Sequence, residues 1–399
     1  MTASPRLFKK LLGQRLLAVF GVSLAGIYAT ASSTLLPAYI DDWVGHLGVS
    51  DAVAGYLGAT GLICQIPGML LGLWLIAYRA LPGIAALGFL CAGIGDGISL
   101  ATLSTPVMVA ARILNGIGSG LLLAATINWL GRDEQPDRGF GVLTLLQFVG
   151  PAIILSCLSR LAPVLGHAAP YTLALAAGAI ALLFIRLFRL NGGDRPLAKS
   201  KDAGDRVHHP ALLTMAVVAL AAFNIAQMGI WAFLVRYAES SGIAGAVATR
   251  AVAISSACGI PGSLLVVGLG LRFGRVQTIL VGCLACLVPM IAFTLVSATA
   301  TVFLIEACML SLAWAFLSPY IQGTQALLDP TGRLAVWGMI AAAAGASIGP
   351  AVVGTVSQRF SFHIGFAFSA ITMMLCAVLS MRSAWVATRA RLPIYDASS

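Results

Sequence analysis

Residues 81–130 read LPGIAALGFLCAGIGDGISLATLSTPVMVAARILNGIGSGLLLAATINWL, and in that stretch only Asp96 and Arg112 are charged. A helix needs about 20 mainly apolar residues to cross a bilayer, and Leu103-Ser104 is the one short break in the run. The stretch therefore reads as two antiparallel membrane helices, near 81–102 and 105–130. Asp96 and Arg112 each lie about eight residues from the turn, so at 1.5 Å per residue both sit roughly 12 Å below the same end of their helices. Opposite charges at equal depth on neighbouring helices can pair.

The rest of the chain has the same character. It is 59% hydrophobic and 10% charged over 399 residues, whereas a soluble domain carries about 25% charged residues. Too few charges are present to cover a water-exposed surface, so lipid is the solvent. Further apolar runs lie near 14–40, 52–77, 139–162 and 168–190, then 211–238, 247–271, 276–297, 300–328, 333–357 and 361–384. The expectation is an all-α integral membrane protein of twelve transmembrane helices in two six-helix halves. The first run contains Ala29-Thr30-Ala31 but is too long for a signal peptide and reads as a span.

Orientation follows from Lys and Arg in the loops. With the N-terminus inside, the cytoplasmic segments hold about five times as many basic residues as the outer ones, which keep only Arg160, Arg236, Arg250 and Arg359. The first outer loop is acidic, with Asp41, Asp42 and Asp51. The chain is thus expected to be a multi-pass protein of the cell (inner) membrane with both termini cytoplasmic. The net charge of +10 belongs to this bias and not to a nucleic-acid surface. Residues 191–210 form the longest polar stretch, a linker between an N-terminal half (1–190) and a C-terminal half (211–399) with a short cytoplasmic tail. The pair His208-His209 within it reads as part of a solvated loop. The eight cysteines all fall in apolar stretches, and Cys283-x-x-Cys286 has no further ligand nearby to complete a metal site. No metal and no cofactor is expected.

The halves look like copies. Gly150-Pro151 in the fifth span matches Gly349-Pro350 in the eleventh, and Arg112 in the fourth matches the depth of Glu306 in the tenth. Repeated halves with a site between them are a common design of secondary transporters. Ala111-Arg112-Ile113-Leu114-Asn115-Gly116-Ile117-Gly118 resembles the fourth-helix R-x-x-x-G-x-G motif of the major facilitator superfamily. Gly345 to Gly354 resembles its G-x-x-x-G-P-x-x-G-G motif, with Val353 in place of one glycine, and Arg272-Phe273-Gly274-Arg275 resembles the basic part of its loop motif, with Leu271 where the acid belongs. The resemblance implies proton coupling through Arg112, conformational roles for Gly150, Pro151, Gly345, Gly349, Pro350, Arg272 and Arg275, a substrate path between the first, fourth, seventh and tenth helices, and a monomer.

Charges inside a bilayer cost at least about 2.5–3.5 kcal/mol each at a helix centre, so they mark function or a partner. Asp96, Arg112 and Glu306 are the candidates for proton coupling. The Asp96–Arg112 pair is either a breakable switch or a structural staple. Glu306 has no basic residue at its depth in its own half, which suits a proton carrier or a cation anchor, although it could also face Arg112. Tyr28, Ser32, Ser33, Asn115, Ser119, Asn224, Gln227, Trp231, Ser311 and Trp314 supply polar and aromatic groups on the four path helices. Of these, Tyr28, Ser32, Asn115, Asn224, Gln227, Trp231 and Trp314 are taken as substrate-binding, and Asn224, Gln227 and Trp231 recur at helical spacing on one face. The expected function is secondary transport, proton-coupled, of a small amphipathic or anionic organic solute, with export ahead of uptake of an organic acid. A membrane sensor that transports nothing is the alternative of another class. No catalytic motif such as H-E-x-x-H, G-x-S-x-G or a P-loop occurs, so an enzyme is not expected.

Overall fold

Because lipid offers backbone groups no hydrogen bonds, apolar runs satisfy themselves as helices. The computed structural model describes residues 5–131, 136–190, 210–270, 272–295, 299–328 and 333–389, and among these no strand occurs. Most of the linker at 191–210, with His208-His209, lies outside the described residues, as does Leu271.

The first expected span is not one helix. It divides into α1 (Pro5–Ala29), the single turn α2 (Ala31–Thr34) and α3 (Leu36–Gly45). The breaks fall where hydroxyls compete for backbone carbonyls. Thr30 Oγ1 donates to Gly26 O and Ile27 O at 3.3 and 3.1 Å, and Ser33 Oγ donates to Thr30 O at 2.7 Å. Pro37 then lacks the N–H that would continue the ladder to Ser33. Next come α4 (Asp51–Ile63), α5 (Gln65–Ile76), α6 (Leu81–Ala101), α7 (Thr105–Gly131) and α8 (Pro136–Leu165). A 3₁₀ turn at Gly166–Ala168 leads into α9 (Ala169–Leu182). The second half comprises α10 (Pro210–Ser240), α11 (Gly245–Ala257), α12 (Gly259–Leu269), α13 (Arg275–Leu295), α14 (Ala300–Leu328), α15 (Arg333–Arg359) and α16 (Phe362–Arg389).

Ten helical stretches among the described residues are long and apolar enough to cross a membrane. The twelve expected spans resolve into these ten for two reasons. The breaks at Thr30 and Leu35 leave Leu16–Ala29 as a shorter apolar helix, and the fifth and sixth spans run together as Val142–Leu182. Large apolar side chains such as Leu90, Val288 and Leu375 are exposed, as lipid-facing positions should be.

The contacts divide the chain into two compact units. The described residues of 1–35, 64–151 and 161–200 form one, and those of 36–63, 152–160 and 201–399 form the other. α3 and α4 belong with the second unit. Small residues explain this. A Cβ at Gly55 would lie 2.5 Å from Pro350 O, and one at Gly354 would lie 2.7 Å from Asp51 O, so α4 and α15 meet backbone to backbone.

The structure also exposes a repeat that the sequence reading passed over. Cys64-Gln65-Ile66-Pro67-Gly68 parts α4 from α5, and Cys258-Gly259-Ile260-Pro261-Gly262 parts α11 from α12. In each, a proline withholds the N–H owed to the carbonyl four residues earlier. The glycine that follows admits a neighbouring backbone: Gly68 backs onto Ile117 O of α7, and Gly262 onto Leu312 O of α14. The fourth and tenth spans are therefore seated the same way in their respective units.

Candidate functional site

In the first unit, glycines bring α6 and α7 so close that charges at equal depth must meet. A Cβ at Gly95 would lie 2.7 Å from both Ala111 O and Asn115 N, and Gly88 and Gly118 face one another across the same seam. Arg112 and Asp96, 2% and 1% exposed, consequently form an ion pair, with Nη2 donating to Oδ1 at 3.0 Å. The same Nη2 donates to Ser99 Oγ at 2.7 Å.

Asp96 is held by two further residues. Tyr28 Oη donates to its Oδ2 at 3.1 Å, and Asn115 Nδ2 donates to its Oδ1 at 2.9 Å and to Ala92 O at 3.3 Å. Ser32 Oγ closes the chain by donating to Asn115 Oδ1 at 2.6 Å. Four elements thus contribute to one network, which gathers Tyr28, Ser32, Asn115, Asp96 and Arg112 in one place. Ser99 was not anticipated, although its position three residues after Asp96 on α6 was a readable signal. Tyr28 also stacks on Phe89 at a centroid separation of 5.8 Å, so its ring is fixed as well as its hydroxyl.

The second unit treats its buried charge differently. Glu306 on α14 is 5% exposed, and neither carboxyl oxygen has a hydrogen-bond partner among the described residues. The turn of α14 before it packs into an aromatic cluster. Phe303, one turn earlier on the same face, lies 6.3 Å from Phe293 and 6.5 Å from Tyr237, and Phe366 lies 5.7 Å from Phe293 and 5.1 Å from Tyr237. All four rings are at most 1% exposed.

The stripe on α10 divides. Gln227 is buried and its Nε2 donates to Cys286 Sγ of α13 at 3.4 Å, whereas Asn224 Nδ2 donates to Leu220 O on its own helix at 2.9 Å. Asn224 lies beside Gly345 of α15. Trp231 is half-buried; Ser311 is buried, and Trp314, on the same helix as Glu306, is exposed. Gly345 and Gly349 serve the packing of α15 on α10, since a Cβ at Gly349 would lie 2.5 Å from Ile225 O. Gly150, beside Pro151 within α8, packs against Ile27. Arg272 is exposed, while Arg275 Nη1 donates to Tyr320 O at 3.4 Å and Tyr320 Oη donates to Gly270 O at 2.8 Å, fastening the loop before α13 to α14. Among the described residues no group of side chains could hold a metal ion.

A third cluster lies at the ends of α3, α4 and α10. Arg236 Nε donates to Asp51 Oδ1 at 3.2 Å and its Nη1 to Glu239 Oε2 at 3.2 Å, with Asp41 Oδ1 4.0 Å away. Burial first, and then the neighbouring Glu239, push the Asp41 carboxyl up to about 7, against the opposing pull of Arg236.

Residues 19–335 match the family model described as Major Facilitator Superfamily. The fold is also that of several solved transporters. A POT family transporter in complex with 5-aminolevulinic acid superposes with a TM-score of 0.70 at 13% identity, over 94% of this chain and 96% of that one. The nucleoside transporter NupG gives 0.68 at 14% identity, over 94% and 98%. A bacterial homolog of the human lysosomal transporter Spinster, in an inward-facing and unoccupied conformation, gives 0.67 at 15% identity, over 98% and 99%. No curated protein matches the sequence.

Proposed function

Because the chain belongs to the major facilitator superfamily, a family of membrane transporters and not of enzymes, we propose that it is a proton-coupled secondary transporter that moves a small amphipathic or anionic organic solute, outward, by alternating access. The observation that carries this reading is the Asp96–Arg112 network. The guanidinium bonds Asp96 and Ser99, and Asp96 is also bonded by Tyr28 and Asn115. An arriving anion and the Asp96 carboxylate are competitors for one cation. A proton on Asp96 removes the charge that holds Arg112, and a group bound better in one state shifts the population toward that state.

Glu306 supplies the second titrating group. Among the described residues an ionised carboxylate there would find no hydrogen-bond donor, and burying one in that way is costly. The outward direction rests on the resemblance of Gly345–Gly354 to a motif of the family's exporters. The bias of Lys and Arg supports an inner-membrane protein with both termini cytoplasmic, and the family resemblance supports a monomer.

A thermal-shift screen of the purified protein in detergent tests the solute class. A ligand at about 100 times its Kd stabilises the fold by roughly 2.7 kcal/mol. Small organic acids are expected to stabilise the native chain and not Arg112→Ala. Stabilisation by lipophilic cations that Glu306→Gln abolishes, with no response to acids, would overturn the anion reading. Proteoliposomes loaded with a pH-sensitive dye then test coupling: addition of the stabilising acid should move protons, and no movement would exclude proton coupling.

A further inference from the structure

Resting on the reading of the Asp96–Arg112 network as the anion- and proton-sensing site, we propose that Gly178 on α9 is a positioning residue for it. The missing side chain there opens the slot that seats the Tyr28 ring and so keeps its hydroxyl on Asp96. A Cβ at Gly178 would lie 2.7 Å from Tyr28 Cζ, 2.9 Å from Cε2 and 3.1 Å from Cε1. These three ring carbons, and not the oxygen, are the nearest atoms, so α9 meets the face of the ring over the carbon that bears the hydroxyl. Carbon–carbon contacts settle at about 3.5–4.0 Å, so an alanine would push that carbon back by roughly 0.8 Å or more.

The hydroxyl has little slack. Oη donates to Asp96 Oδ2 at 3.1 Å, whereas O–H···O bonds run from about 2.5 to 3.0 Å. The ring is also stacked on Phe89 of α6, at 5.8 Å and 8°, and is buried, so packing and not water sets where the oxygen falls. On α9 the buried positions Ala174, Gly178 and Ala181 recur at helical spacing on one face. Alanines one turn to either side therefore bound the slot. Gly93 of α6 is the contrast, because a Cβ there would lie 4.0 Å from Tyr28 Oη, an ordinary contact.

A donor on a carboxylate weights the balance between its charged and neutral forms. The seat of Tyr28 thus helps set how readily Asp96 takes a proton and lets go of Arg112. Arg112 and Tyr28 are the titratable groups bonded to Asp96, and Asn115 is its neutral partner. On α5, α7, α9 and the 3₁₀ turn Ile185–Arg189, which pack against α6, the other titratable residues are Tyr171, Arg186 and Arg189. Asp96 bonds none of these three.

Raman and infrared spectra of the purified chain test the role. The tyrosine ring doublet that Tyr28→Phe removes reports how strongly the phenol donates. Its intensity ratio should change in Gly178→Ala to that of a weaker donor and stay native in Gly93→Ala. A native ratio in Gly178→Ala overturns the proposal. Infrared titration then follows the carboxylic C=O band that Asp96→Asn abolishes. Gly178→Ala and Tyr28→Phe should shift the proton affinity it reports in the same sense, by about tenfold or more. The double variant should shift it no further than Tyr28→Phe. A titrating band that Gly178→Ala leaves in place overturns the proposal. If the native chain shows no such band at any pH while the phenol donates more weakly in Gly178→Ala, Gly178 keeps its role and Asp96 loses its titrating one. If Gly178→Ala does not fold, its combination with Tyr28→Ala should, because the ring is gone. Failure of that pair where Tyr28→Ala alone folds overturns the proposal.

Discussion

Arg112 in the fourth span and Glu306 in the tenth occupy corresponding places in two copies of one design, yet their surroundings are opposites. Arg112 is met by a carboxylate and a hydroxyl, and its partner Asp96 by a phenol and an amide. Glu306 has no hydrogen-bond partner among the described residues. The repeat fixes how the backbones approach, through Gly68 on Ile117 and Gly262 on Leu312. It does not fix the chemistry at the seam. A buried ion pair holds its geometry until a competitor arrives, whereas an acid with no hydrogen-bond partner among the described residues can change its charge without breaking a bond to them. Under the proposed function the first would sense the anion and the second would carry the proton.

The contrast breaks most visibly at Asp96. Asp96→Ala leaves the Arg112 guanidinium buried without its counter-charge and should destabilise the protein by about 3–5 kcal/mol. Thermal or denaturant unfolding measures this, and a loss under about 1 kcal/mol would mean that the pair behaves like a surface bridge. Removing Glu306 should have the opposite sign. Glu306→Met replaces an unsatisfied group by an apolar one of similar size and should raise stability by about 1–3 kcal/mol, while proton movement with solute stops. If Glu306→Met is destabilising, the carboxyl has a partner that the contrast denies.

Gly95→Ala tests whether close helix approach makes the pair. Its Cβ would fall 2.7 Å from Ala111 O and Asn115 N, and such overpacking typically costs about 1–3 kcal/mol. A double-mutant cycle with Asp96→Ala should show strong coupling, since separating the helices already weakens the ion pair; additive effects would show that the pair does not depend on this seam.

The smallest effect is expected at the third cluster. The Asp41 carboxyl is raised from 3.8 to about 7, so the folded chain binds more protons there than the unfolded chain between those values. Stability should therefore fall as pH rises from about 4 to about 7 and level off above. Asp41→Asn should flatten that slope modestly, because the group is partly exposed and screened. An unchanged thermal-midpoint profile would remove Asp41 from the cluster's titration.

The equal depth of Asp96 and Arg112 was legible because 1.5 Å per residue converts sequence position into depth, and the absence of a basic residue near Glu306 could be read in the same way. The stripe on α10 was read less well. Asn224, Gln227 and Trp231 share a periodicity, but periodicity does not say which neighbour a face meets. The structure turns Gln227 to Cys286 and sets Asn224 beside Gly345. The broken first span was missed because hydropathy does not register hydroxyls that bond backwards or a proline's missing donor.

What the sequence determined by itself was the solvent, the helical class and the family resemblance, because scarcity of charge and helix-length apolar runs leave a chain no other way to satisfy its backbone. Which buried group is satisfied and which stands alone was decided only by tertiary structure. That outcome depends on contacts between residues far apart in the chain, such as Tyr28 with Asp96 and Tyr237 with His363. Such contacts are set by how closely glycine-lined helices approach, and no local pattern encodes it.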